Sequence, residues 1–174
     1  MITRAQSITG TALLAMALST AAMAQVSTNR VAANTDWSVF VEGTPPQCWG
    51  VSAPKETVNT KDGKPAQVRR GDILLFVTYA QGSKGEISFT GGYPFAPGST
   101  VGLDIGGTKF DLYVDGEWAW AGSPADDATI IAALKSGSSA VLTAKSAKGT
   151  QTQDSFSLSG FSAAVDEAAK RCGG

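Results

Sequence analysis

VGLDIGGTKFDLYVDGEWAW, residues 101–120, contains the clearest secondary-structure pattern of this sequence. Apolar and polar residues alternate along it in three short runs, which is typical of half-buried β-strands. Gly106-Gly107 and Asp115-Gly116 separate the runs. Both pairs suit the two-residue turns of β-hairpins, because they tolerate positive φ angles. The stretch therefore predicts a three-stranded antiparallel meander.

Similar patterns extend the β-structure on both sides of this meander. Residues 73–79 form the most apolar run and are expected to be a central strand, whereas the polar residues 54–71 are expected to form a surface loop, with some strand of its own as the alternative. One short helix is predicted after Ser123, and a second from Ala163 to Arg171 with Ser162 as its cap. About seven to nine strands with two short helices predict an all-β sandwich.

The first 24 residues have the pattern of an export signal. Arg4 supplies one positive charge, residues 11–18 are apolar, and Ala22-Met23-Ala24 makes a small-x-small cleavage site. The apolar run is shorter than the roughly 20 residues that cross a bilayer, so a cleaved leader is favoured over an anchor. We expect a signal peptide over 1–24, a flexible N-terminus over 25–35, a β-sandwich domain over 36–174, and a periplasmic or secreted location.

The charge of the mature chain is nearly balanced. The sequence has 14 basic and 15 acidic residues, and the leader removes Arg4 alone, which leaves 13 against 15 and a net charge of −2. Such a balance gives no electrostatic reason to expect nucleic acid or an anionic membrane as a partner. No second apolar segment reaches membrane-spanning length, so we expect a soluble domain after cleavage.

Cys48 and Cys172 are the two cysteines of the sequence. An exported domain meets an oxidising compartment, where an even pair is usually bridged, so we expect a disulfide that closes nearly the whole domain. Two free buried thiols are the alternative. A metal site on this pair is not expected, because the sequence contains no histidine and carboxylates would have to complete it.

Several motifs together resemble one bacterial family. They are CWGVS at 48–52, GGYPF at 91–95, GEWAW at 116–120 and FSLSGF at 156–161, followed by Ala163-Ala164 and Cys172. Their order, from about Trp37 to Cys172, is similar to that of the invasion-associated locus B family of α-proteobacteria. The resemblance implies an exported, immunoglobulin-like β-sandwich with no catalytic set to transfer. It also implies a family name taken from pathogens whose homologue assists entry into host cells, which is a phenotype rather than a chemistry.

The residue types present give little support for catalysis. Without histidine, the usual Ser-His-Asp and Cys-His arrangements are excluded. A Ser-Lys pair stays open, at Ser136 beside Lys135 or at Ser146 near Lys145 and Lys148, although solvated surface residues explain the same pattern. We expect no enzyme, no catalytic residue, no metal and no cofactor.

Aromatic residues are the first candidates for binding. Trp118 and Trp120 share a strand face, and Tyr93 and Phe95 lie in a Gly-rich loop, so the four contain the materials of a contact patch. The alternative for both tryptophans is the sandwich core. Trp49, next to Cys48, is expected to pack against the disulfide, as in other sandwiches.

A basic cluster in the polar loop is the second candidate. It consists of Lys61, Lys64, Arg69 and Arg70, together with Lys55. A solvated loop is the simpler interpretation, and acidic envelope glycans or an acidic protein surface are the partners it suits if it binds.

The sequence therefore predicts an exported, non-enzymatic protein that binds an envelope or host-surface protein or glycan. A structural or stress-protective periplasmic protein is the alternative, and a hydrolase with a Ser-Lys pair is a third interpretation.

Overall fold

A computed structural model describes residues 28–173. The predicted leader and the cleavage after Ala24 lie outside this range. The elements are β1 (Arg30–Asn34), β2 (Trp37–Glu42), β3 (Gln47–Ser52), β4 (Glu56–Lys61), β5 (Lys64–Pro65), β6 (Leu74–Tyr79), β7 (Glu86–Thr90), β8 (Thr100–Ile105), β9 (Thr108–Asp115), β10 (Trp118–Trp120), α1 (Pro124–Ser136), β11 (Ser139–Lys145), β12 (Gln151–Ser157) and α2 (Phe161–Cys172).

The strands join in one antiparallel sheet that folds over on itself. Their order is β1-β2-β3-β6-β7-β10-β9-β8-β11-β12-β4-β5. In a flat sheet β7 and β12 would lie roughly 24 Å apart, at about 4.8 Å per neighbouring strand. The ring centroids of Phe89 in β7 and Phe156 in β12 are nevertheless 6.2 Å apart. The two halves of the sheet therefore face each other, and the predicted immunoglobulin-like β-sandwich with two short helices and one disulfide is confirmed.

The core lies between the inner faces of the two halves. Across β2, β3, β6 and β7 the directly paired inner residues are Val39, Gly50, Val77 and Ile87. The three with side chains are fully buried. Since side chains alternate between the two faces of a strand, this row fixes which residues of the same strands point outward.

The central strand and the meander agree with the predictions from the sequence. β6 lies between β3 and β7 in the interior of the sheet. Residues 101–120 form β8, β9 and β10, and the turns between them hold Gly106, Gly107 and Gly116 at positive φ. Glycine adopts this backbone region without strain, which explains the choice of residue at the two turns.

Strand pairing begins earlier and is more extensive than the sequence predicts. Residues 30–34 of the expected flexible N-terminus form β1, which pairs antiparallel with β2. The polar residues 54–71 contain β4 and β5, and β4 pairs with β12, so the alternative of a strand within the predicted surface loop is the one observed. These strands lie at or next to the sheet edges, β4 and β5 are mostly exposed, and no residue of β1 is fully buried, so all three lack the buried apolar alternation by which strands are recognised.

The two helices form where the sequence predicts them, with one different cap. Ser123 caps α1, since its Oγ accepts a hydrogen bond from Asp126 N. The start of α2 differs, because it is preceded by Gly160 at φ 89° and not capped by Ser162. A Cβ at Gly160 would lie 1.9 Å from Asn34 O, so this position requires glycine for both its conformation and its space.

The disulfide joins Cys48 in β3 to Cys172 at the end of α2. The two Cα atoms are 5.6 Å apart, and both side chains are buried. The start of α2 is held by Phe161, whose ring packs edge-on against Trp37 at a centroid distance of 4.8 Å. α2 is therefore attached to the inner face of β2 and β3 at both of its ends.

Replacing both Cys48 and Cys172 by serine is expected to lower the free energy of unfolding by about 5 kcal/mol, because the bridge closes a loop with a sequence separation of 124. The double replacement leaves no single thiol to form mixed disulfides. Urea unfolding of the oxidised protein and the variant measures the difference. An unchanged midpoint and slope would contradict this role of the bridge.

Candidate functional site

Aromatic side chains gather on the outer side of the sheet. The register places one row of directly opposed residues across β3, β6, β7, β10 and β9, namely Val51, Phe76, Ser88, Trp120 and Tyr113. Directly opposed residues share a face of the sheet. Phe40 opposes Trp49 in the next row, and Trp118 lies two residues from Trp120 on the same face. We call the six aromatic residues the outer aromatic face: Phe40, Trp49, Phe76, Tyr113, Trp118 and Trp120.

Ring contacts connect members of the outer aromatic face to one another. Trp118 stacks on Trp120 at a centroid distance of 6.3 Å, and Phe76 meets Trp118 at 5.6 Å from the other side of β7. The short side chains of Ser88 and Thr90 lie on β7 between these rings and are almost fully buried. The rings therefore form a layer over the polar outer residues of β7.

The outer aromatic face is partly open to solvent, since Phe40, Trp49, Phe76 and Trp120 are half-buried. Tyr113 is 62% exposed and Trp118 is 39% exposed, whereas Ala119 on the inner side of the same strand is fully buried. α2 packs on the inner side of β3, where a Cβ at Gly50 would lie 3.7 Å from Ala164. The helix therefore covers the inner face of the strands that carry Phe40 and Trp49 and leaves the outer one free.

The four aromatic residues of the predicted patch separate into two groups. Trp118 and Trp120 lie on the outer aromatic face, so the core alternative is wrong for them. Phe95 is buried, and its ring centroid lies 6.0 Å from that of Phe89. Tyr93 is half-buried beside Phe95 and hydrogen-bonds Thr152 through its hydroxyl. The Gly-rich loop folds inward because two of its side chains complete the core.

Trp49 does not pack against the disulfide. Cys48 points inward, and successive residues of a strand point to opposite faces, so Trp49 points outward. Its ring stacks on Phe40 with a centroid distance of 5.9 Å and an interplanar angle of 13°. The prediction of a tryptophan beside the disulfide is therefore wrong, and Trp37 and Phe161 lie on the disulfide's side of the sheet instead.

The predicted basic cluster also separates into exposed residues and one buried residue. Lys61, Lys64 and Arg69 are exposed, as a solvated loop requires, but the side chain of Arg70 is only 7% exposed. Arg70 forms a bidentate ion pair with the fully buried Asp154, at 2.8 and 2.6 Å. The charge of Arg70 is thus neutralised inside the protein and does not contribute to a basic surface.

Several further contacts surround this ion pair. Arg70 Nε donates to Gly91 O at 2.8 Å, and the guanidinium lies 5.0 Å from the centre of the Tyr93 ring. Burial raises the pKa of the Asp154 carboxyl, and the hydrogen bond and charge of Arg70 oppose that rise. Burial also raises the pKa of the Tyr93 hydroxyl. These contacts attach residues 69–71 and 91–93 to β12.

The serines of the possible Ser-Lys pairs hydrogen-bond to the backbone. Ser136 Oγ donates to Ala133 O, and Ser146 Oγ accepts from Thr150 N. Lys135 Nζ lies 2.7 Å from the Asp166 carboxylate. The geometry shows a capping contact, a turn and a surface ion pair at these positions.

A buried acid lies at the start of α1. Asp127 Oδ1 accepts a hydrogen bond from Ile87 N at 2.8 Å, and burial raises the pKa of this carboxyl. This bond joins α1 to β7. Within residues 28–173, no group of three or more Cys, Asp or Glu side chains is arranged to hold a metal ion. None of the helices in this range has the length and apolar character to cross a membrane.

Four members of the outer aromatic face are not predicted from the sequence, namely Phe40, Trp49, Phe76 and Tyr113. Each lies in a correctly predicted strand, so the period-two pattern contains the necessary signal. Phe40 and Phe76 alternate with Val39 and Val77, and apolar residues on both faces hide which face is inside. The strand register was needed to show that they are neighbours.

Fold and surface together define a class of protein: an immunoglobulin-like β-sandwich, closed by one disulfide and carrying an exposed aromatic face on one half of its sheet. The chain belongs to the invasion associated locus B (IalB) protein family, whose model matches residues 37–169. Its fold is similar to that of the crystal structure of invasion associated protein b from Bartonella henselae, with a TM-score of 0.55 and 14% identity over 80% of this chain and 95% of that chain. At this identity the likeness concerns the fold alone. No curated protein matches the chain.

Replacing Arg70 by methionine is expected to cost about 3–5 kcal/mol of stability, because it leaves the buried Asp154 without its partner. Replacing both residues, as Arg70→Met with Asp154→Leu, is expected to recover most of that loss. Urea unfolding of the single and double variants measures both values. Arg69→Met, at the exposed neighbouring position, is the control, and an equal effect of the two methionine substitutions would contradict the burial of the pair.

Proposed function

We propose that this protein is exported, is processed after Ala24, and acts as a non-enzymatic binding protein at the cell envelope or outside the cell. The predicted leader, the disulfide and the family membership support this address and this class. The family name connects its members with invasion. For this chain we propose the broader role of binding, with host contact as one form of it.

The outer aromatic face is the observation that carries the proposal. Aromatic residues are enriched where proteins bind one another, because each buries a large apolar area with little loss of side-chain entropy. Aromatic rings that stay partly exposed on one face of a sheet cost solubility, so their presence favours an interaction. The six rings lie on five strands from three separate parts of the sequence, β2–β3, β6 and β9–β10, which indicates a surface formed by the fold and not by one loop.

Ring packing favours a protein partner over a glycan. Stacking of Trp118 on Trp120, and of Phe40 on Trp49, uses one face of each of these rings. A sugar binds aromatic residues by lying on such a ring face, whereas a protein side chain also packs against ring edges. We therefore propose an envelope or host-surface protein as the partner, with a glycan as the alternative outcome of the test.

Replacing Tyr113 and Trp118 together by serine is expected to reduce binding to isolated envelopes, or to host-cell surfaces, by more than tenfold. The reason is that exposed aromatic residues at the centre of an interface each contribute on the order of 2 kcal/mol. The bound fraction of labelled protein is measured by co-sedimentation. Val58→Ser is the matched control, because Val58 is also an exposed apolar residue, at 44%, but lies on β4.

Protease treatment of the envelopes should abolish binding if the partner is a protein, and deglycosylation should abolish it if the partner is a glycan. Equal retention of the Tyr113/Trp118 variant and the Val58 control would contradict the proposed surface. In the same preparations, we expect the protein recovered from the periplasm or medium to have the mass of a chain that begins at Gln25 with both cysteines oxidised.

A further inference from the structure

A small pocket lies at one end of the sandwich. Three segments form it: the loop before β6, the Gly-rich loop after β7, and the turn between β11 and β12. Its cavity volume is about 150 Å³. Its walls include Val68, Arg69, Tyr93, Pro94, Ala147 and Lys148, and we call this site the basic pocket.

Hydrogen bonds fix the three segments that form the basic pocket. Ala147 N donates to Pro94 O at 2.9 Å, and Gly71 N donates to Gly92 O at 2.9 Å. The buried ion pair of Arg70 with Asp154 lies directly behind it. A buried ion pair contributes little net stability compared with apolar residues of the same volume, so its value here lies in holding Arg69 and Tyr93 in place. The pocket is thus formed before any ligand arrives, which lowers the entropic cost of binding.

Positive charge collects around the mouth of the basic pocket. Arg69 and Lys148 are exposed and line it. β4 pairs with β12 so that Thr60 opposes Gln151, which brings Lys61 and Lys64 of the β4–β5 hairpin to the end of the sheet where the β11–β12 turn lies. Asp62 at the hairpin tip and Asp72 in the loop before β6 are the acids in these two segments. The end of the sheet around the pocket is therefore basic, although the chain as a whole is slightly acidic.

The interior of the pocket has a different character from its mouth. Val68, Pro94, Ala147 and the ring of Tyr93 supply apolar walls, and the buried hydroxyls of Ser146 and Thr152 already have partners, Thr150 N and the Tyr93 hydroxyl. A cavity of about 150 Å³ is large enough for benzene, whereas pockets for whole small-molecule ligands measure roughly 300–1,000 Å³. The pocket therefore fits one large apolar side chain.

We propose that the basic pocket binds an acidic peptide segment that inserts one large apolar side chain, with flanking carboxylates contacting Arg69 and Lys148. Charge complementarity at the mouth and the apolar interior together select this partner. The inference does not depend on the outer aromatic face, and it gives the protein a second, separate contact site.

The test uses the full mature chain and a fluorescein-labelled pentapeptide with a central phenylalanine between pairs of glutamates. Two control peptides change one property each: alanine replaces the phenylalanine, or glutamine replaces the four glutamates. Fluorescence anisotropy is expected to show binding that weakens about tenfold or more without the phenylalanine, since a buried phenylalanine contributes that much. Loss of the glutamates is expected to weaken it about three- to tenfold.

Matched variants locate the site on the protein. Lys148→Ala is expected to weaken binding about threefold, whereas Lys170→Ala, an exposed lysine on α2, leaves it unchanged. Ala147→Phe fills the pocket without altering charge and is expected to abolish binding. Thermal unfolding checks that this variant folds, and Lys148→Ala, a change of an exposed residue, tests the site independently.

Equal affinity of the phenylalanine and alanine peptides would overturn the proposal, because it would show attraction by charge without an inserted side chain. Equal affinity of the Lys148 and Lys170 variants, or no binding at millimolar peptide, would overturn it as well. None of these results bears on the outer aromatic face, because the peptides and variants of this test probe the basic pocket, whereas the Tyr113/Trp118 variant probes the outer aromatic face.

Discussion

Side chains of successive strand residues point to opposite faces of a sheet, and that constraint organises this whole protein. Val39, Val77 and Ile87 face inward and form the core, so their neighbours Phe40, Phe76 and Ser88 must face outward. A slip of one residue in the pairing would exchange the two sets. The disulfide resists such a slip at β3, because Cys48 must face α2 to reach Cys172. The same contact that closes the sandwich therefore keeps Trp49 on the outside.

Buried polar contacts perform the corresponding task at the other end of the molecule. The ion pair between Arg70 and Asp154 attaches two loops to β12 and places Tyr93 against Thr152. In a domain whose loops contain many glycines, such contacts define one arrangement where apolar packing alone would allow several. The protein thus presents two surfaces of different chemistry, an aromatic one on the sheet and a basic one at the loops, and both are held rigidly by the fold.

The secondary-structure elements could be predicted well from the sequence, and the contacts between residues that are distant in sequence less well. The meander of residues 101–120, the central strand β6, both helices and the disulfide followed from local patterns and from the chemistry of an exported cysteine pair. β1 was missed, and β4 and β5 were only an alternative to a loop, because strands at or next to a sheet edge have little buried apolar alternation. The faces of Trp49, Trp118 and Phe95 depended on pairing between strands distant in sequence, and the burial of Arg70 depended on Asp154, 84 residues away. Single-sequence patterns carry no information about such contacts.

Residue-resolved oxidation of the native protein by hydroxyl radicals, read by mass spectrometry, tests the division into two faces most directly. Trp37 and Trp118 are the same residue type with opposite exposure, 1% and 39%. We expect rapid oxidation of Trp118 and Tyr113 in the folded monomer, and protection of Trp37 until the protein is unfolded. Equal protection of Trp118 and Trp37 in the monomer would contradict the outer aromatic face, and with it the surface through which we propose that this protein binds.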